Sequence, residues 1–129
     1  MQNIKLFHVS FVSRLLLGFL FIYHGLVPKI LWLSAVEIHL VSLSGLNLPA
    51  NIVSPLTGIG EIILGCLIIF FRKSTLPVYI AAVALCLLLI FVGLASPEYL
   101  ISAFNPVTTN ILGLGFCYLI LFVDKNDNA

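Results

Sequence analysis

The chain has 129 residues, 61% hydrophobic and 9% charged, with a formal net charge of +1. Its mean hydropathy of +1.20 leaves too few polar residues to cover a soluble domain of this size, and no basic cluster is present to neutralise a run of phosphates, which argues against nucleic acid as a partner. A spanning helix takes roughly 20 residues, so four would use about 80 and leave only connections. The fold class that follows is all-α: a polytopic membrane protein, one domain over 1–129, built as a four-transmembrane-helix bundle.

The first apolar run covers residues 15–33; Arg14 bounds it, and His24, Pro28 and Lys29 interrupt it. It is longer than the roughly 7–15-residue apolar core of a signal peptide, so it reads as a retained span. Residues 34–54 then place Val36, Leu40, Leu43 and Leu46 near helical spacing. This predicts a short interfacial helix between spans one and two, carrying Glu37 and His39.

The second span, 55–71, begins at Pro55, a residue suited to a helix start, ends at Arg72-Lys73, and carries Glu61. The third, 77–95, is the most uniformly apolar and stops before Ser96-Pro97-Glu98. The fourth, 106–123, opens with Asn105-Pro106 and closes at Asp124-Lys125. Short connections predict that consecutive spans pack as antiparallel neighbours.

Charge placement predicts orientation. With the amino terminus inside, Lys5, Arg14, Arg72, Lys73 and Lys125 sit at cytoplasmic edges, against Lys29 alone toward the other face. The positive-inside rule then puts both termini in the cytoplasm. Tyr23, Trp32, Tyr79 and Tyr99 fall near span ends and read as interfacial anchors. Cys66, Cys86 and Cys117 lie within apolar runs without a C-x-x-C pair. Neither a disulfide framework nor a metal site is expected from them.

Polar residues inside the spans are the candidate functional groups. Counting about 1.5 Å per residue from the inner boundary puts His24 and Glu61 at roughly 15–16 Å, and Lys29 and Asn110 at roughly 21–22 Å. An ionised side chain at mid-bilayer costs at least about 2.5–3.5 kcal/mol, so Glu61 must turn inward, pair or become neutral. His24 and Lys29 are its expected partners. They lie about 140° apart on a regular helix, and Pro28 supplies the distortion that lets both reach it. Two readings follow. Glu61, His24, Lys29 and Asn110 line a ligand-binding pocket in the outer half of the bundle, or Glu61 and Lys29 form an ion pair that sets helix register. The glycine pairs Gly18/Gly25 and Gly58/Gly65, each seven residues apart, mark faces where two helices approach closely.

Taken together, Arg14 with Gly18, the segment Tyr23-His24-Gly25-Leu26-Val27-Pro28-Lys29, then Glu37, Gly58-Ile59-Gly60-Glu61 with Gly65, and Asn105-Pro106 with Asn110 resemble the DoxX-like family of small bacterial membrane proteins. The resemblance covers nearly the whole chain. It implies a four-helix membrane domain. It also implies a link to redox chemistry, since some relatives are associated with quinone-linked sulfur oxidation or redox-stress complexes. The expected function is a binding or accessory subunit for a small apolar ligand, a quinone or a lipid. The alternatives are a quinone-reducing membrane oxidoreductase, with Glu61 or His24 relaying protons, and a proton-coupled transporter. The partners expected are the lipid bilayer, a redox protein and a second copy of the chain; no catalytic residue is assigned.

Overall fold

In a hydrocarbon core each backbone N–H and C=O must be satisfied within its own segment, so the Leu-, Ile-, Val- and Phe-rich stretches become helices. The computed structural model describes residues 2–127. Its α-helices are α1 (Gln2–Leu26), α2 (Ala35–Leu43), α3 (Ala50–Phe70), α4 (Leu76–Ala95) and α5 (Pro106–Asp127). A π-helical turn, Val27–Leu31, continues α1, and a 3-10 turn, Pro97–Leu100, follows α4. Four stretches are long and apolar enough to cross a membrane: Ile4–Leu31, Ala50–Phe70, Leu76–Ala95 and Pro106–Asn126. The expected all-α bundle of four spans is what the chain forms.

Two helix starts differ from expectation. α1 begins at Gln2, so Arg14 lies in mid-helix instead of at its edge. α3 begins at Ala50, with Pro49 as its cap, and Pro55 sits inside it. The carbonyl that Pro55 leaves without a donor belongs to Asn51, in the first turn and exposed. Water or lipid head groups can serve it there, so the proline is tolerated.

The short helix expected between the first two spans is α2. Ser34 caps it by accepting from the Glu37 amide at 3.2 Å. Past its end Gly45 takes a left-handed backbone, φ +75°. His39 ties α2 to the end of α4 through Ser96, 3.2 Å from its Nε2, and through an edge contact with Tyr99. α5 starts as read, with Asn105 Oδ1 accepting from the Thr108 amide at 3.0 Å and Pro106 in the first turn.

Packing runs in the order α3, α1, α5, α4: α1 lies mainly against α3 and then α5, and α4 lies against α5. Consecutive α3 and α4 touch little, so neighbour packing fails at that one connection. Leu17, Phe21, Ile68, Val78, Leu85 and Ile120 form the buried core. The tightest seam is α1 with α3. A Cβ on Gly65 would stand 2.6 Å from the Gly18 carbonyl oxygen, and one on Gly25 or Gly58 would meet the carbonyl of the other. Both glycine pairs therefore face each other across the seam, as their spacing predicted.

Candidate functional site

The polar centre forms where this seam ends. The π turn at Val27–Leu31 closes onto residue i+5 instead of i+4, with Trp32 N–H bonded to the Val27 carbonyl at 2.9 Å. That local underwinding is the distortion expected at Pro28. It carries Lys29 toward α3, where its Nζ donates to Glu61 Oε1 at 2.7 Å. The close approach of Gly25 and Gly58, one turn away on each helix, leaves the two side chains within reach.

A second carboxylate joins them. Glu37, on α2, places Oε1 3.7 Å from Lys29 Nζ, and Ser54 Oγ donates to its Oε2 at 3.5 Å. Lys29 is thus shared by two acids from different helices, with side-chain exposures of 13% for Lys29, 20% for Glu37 and 26% for Glu61. Burial raises the Glu37 carboxyl above the usual carboxylate range, Lys29 opposes this, and the Glu61 charge adds to it. With one cation and two acids the cluster is short of one positive charge, so it has a place for a proton or for a hydrogen-bond donor.

That place is specific. Glu61 Oε2 is buried and has no hydrogen-bond partner, the one such side-chain atom among the described residues. An unmet carboxylate oxygen away from water is costly, and its neighbour Oε1 is already engaged by Lys29. His24 is exposed on α1, five residues before Lys29.

Of the four residues expected to line the site, Lys29 and Glu61 meet directly, whereas His24, expected as a second partner of Glu61, makes no hydrogen bond with it. Asn110 does not join them. It is buried on α5, and its Nδ2 donates to the Leu85 carbonyl of α4 at 3.0 Å. Similar depth did not bring them together, because Asn110 faces α4, on the far side of α1 and α5 from α3. Asn110→Ala is expected to lower stability by about 1 kcal/mol, the worth of one interhelical hydrogen bond. Thermal unfolding in detergent checks it, and ligand binding at Glu61 should not change.

Glu37 is the residue of this cluster that the sequence reading left out of the site. Its signal was available in Ser34-Ala35-Val36-Glu37, a capping pattern that fixes where α2 begins and so which way Glu37 points. Arg14 also departs from expectation. Expected at the edge of the first span, it is 1% exposed. Its Nη2 donates to Asp124 Oδ2 at 2.7 Å and its Nη1 to the Ile68 carbonyl at 3.1 Å. Ser10 Oγ donates to the other carboxylate oxygen of Asp124 at 2.8 Å. The end of the bundle where α3 finishes is therefore not wholly apolar. It holds its own ion pair, linking α1 to α5.

The sequence profile of the DoxX-like family matches residues 18–118. The chain belongs to the DoxX-like family. The matched stretch contains Lys29, Glu37 and Glu61, while Arg14 and Asp124 lie outside it. No curated protein and no solved structure matches the chain. Among the described residues of this DoxX-like membrane protein, no three His, Cys, Asp or Glu side chains gather as a metal site, and Cys66, Cys86 and Cys117 are free thiols.

Proposed function

We propose that this DoxX-like protein binds a small amphiphile, a quinone or a lipid, with the polar end of the ligand at Glu61, Lys29 and His24. The observation that carries the reading is the buried, unpartnered Oε2 of Glu61. A ligand hydroxyl, such as that of a quinol, would donate to this oxygen in a charge-assisted hydrogen bond. The oxidised form of the same head group offers only acceptors, and Lys29 or His24 is the donor for it. The apolar remainder of the ligand would lie along the lipid-exposed faces of the helices, which carry Tyr23, Ile59 and Ile63 beside the site.

In this reading the chain serves as a binding or accessory subunit, and a redox protein docked at the membrane surface supplies or removes electrons. The bundle lies in a bacterial inner membrane with both termini in the cytoplasm. Support for that orientation comes from Arg72 and Lys73 following α3 and Lys125 near the end of α5, against Lys29 at the opposite end of the spans. The Lys29 cluster then faces the outer leaflet.

Titration of the purified chain with a short-chain quinol and with its quinone, followed by intrinsic fluorescence, tests the reading. The quinol is expected to bind saturably. Glu61→Met should weaken it by about 10–100-fold, the worth of a hydrogen bond to a charged group. The variant should remain folded, because Lys29 keeps Glu37 as a partner. Equal affinity of variant and wild type, or no saturable binding of either redox form together with no amphiphile retained in native mass spectra, would overturn the proposal.

A further inference from the structure

A cavity of about 300 Å³ lies at the other end of the bundle, between α1, α5 and the connection that follows α3. Arg14, Asp124 and Ser10 line it together with Phe7 and Val123, and the connection between α3 and α4 adds Arg72 and Lys73. Three cations and one carboxylate share this space. Asp124 neutralises Arg14 through the 2.7 Å contact, and the remaining donors of Arg14 point to the Ile68 carbonyl and, at 3.5 Å, to the Ser74 carbonyl. Arg72 and Lys73 have no carboxylate partner among the described residues. Among the described residues, the lining therefore carries a formal excess of two positive charges.

Arg72 is already oriented. Its guanidinium lies over the Phe7 ring at 4.4 Å and the Phe11 ring at 5.1 Å. A guanidinium held over aromatic rings keeps N–H donors for an acceptor. A planar fork beside a flexible ammonium suits the oxygens of a phosphate, the fork binding two of them and the ammonium acting as a point charge. The surroundings suit a membrane ligand as well. Phe7, Phe70 and Phe71 are 50%, 75% and 62% exposed at this end of the bundle, an apolar surface next to the charged mouth.

We propose that this cavity is an anion site that takes the phosphate group of an anionic amphiphile, held by Arg72 and Lys73 in the connection that follows α3. Basic pockets between spans at the cytoplasmic surface are a recurrent way of holding such head groups. The buried Arg14–Asp124 pair forms one wall of the site. This site is separate from the Glu61 cluster and does not depend on it.

Thermal unfolding of the full chain in detergent tests the proposal, with phosphatidylglycerol, phosphatidylcholine, or inorganic phosphate against chloride of equal ionic strength. Phosphatidylglycerol is expected to raise the unfolding temperature and phosphatidylcholine to leave it unchanged. The double variant Arg72→Gln/Lys73→Gln should bind phosphatidylglycerol about thirtyfold more weakly, from about 1 kcal/mol per basic residue near the surface. Glu61→Met should keep the full shift. A saturable shift with inorganic phosphate would assign the site to free phosphate; a shift with phosphatidylglycerol alone would assign it to the lipid. Equal effects of the two lipids with phosphate no different from chloride would overturn the proposal. So would a double variant that binds phosphatidylglycerol as tightly as the wild type.

Discussion

Replacing Asp124 by alanine is expected to destabilise the bundle by about 3 kcal/mol, because removing one partner of a buried ion pair leaves the other charge uncompensated. Arg14 is 1% exposed, its carboxylate partner comes from α5, and its remaining hydrogen bonds go to backbone carbonyls. No other carboxylate contacts it among the described residues. The double change Arg14→Met/Asp124→Leu should recover most of the loss, since an apolar pair of similar volume removes both desolvation costs. Equilibrium unfolding in a denaturing detergent titration measures all three proteins. A loss below about 1 kcal/mol, as for a surface pair, would mean that the Arg14 charge reaches water once Asp124 is gone.

Adding a single methyl group to the α1–α3 seam is the second large effect. In Gly58→Ala the new Cβ would meet the Gly25 carbonyl and come within 3.1 Å of the Lys29 Cβ. Its neighbours are backbone or begin at a Cβ, so relief requires α1 and α3 to separate. The expected cost is about 2–3 kcal/mol, the upper part of the range for overpacking. Separation would also draw Lys29 from Glu61, so quinol binding should fall with stability. Gly60→Ala is the matched control: a Cβ there meets nothing within 4 Å. It should be neutral or stabilising by about 0.5–1 kcal/mol, from helix propensity alone. If Gly58→Ala and Gly60→Ala behave alike, the seam is not the constraint that assembles the polar cluster.

Helix count, the interfacial helix and the glycine faces were legible because each is a property of one segment. Hydropathy over about 20 residues needs no partner to be read. The start of α5 was legible as well, since Asn105-Pro106 satisfies the first turn locally. Arg14 and Pro55 misled for a common reason. A charge or a proline usually marks a boundary, and each lies inside a helix here, one because of a distant partner and the other because it is close to the helix start. Asp124, more than a hundred residues away, neutralises Arg14. An exposed first turn removes the penalty from Pro55.

The Glu61–Lys29 pair was foreseen from the cost of a lone carboxylate in lipid and from the expected distortion at Pro28, and the π turn supplies that distortion. The third member, Glu37, and the separate position of Asn110 were not. Depth along the membrane normal follows from counting residues, but which side chains meet at a given depth depends on how each helix is rotated and which helices are neighbours. By itself the sequence determined an all-α membrane bundle of four spans, one buried carboxylate in need of a partner, and two glycine faces. Only the tertiary structure decided that two acids share Lys29, that Asn110 serves α4, and that Arg14 is buried against Asp124. Pairing energies act between segments, whereas hydropathy and helix-start signals act within one.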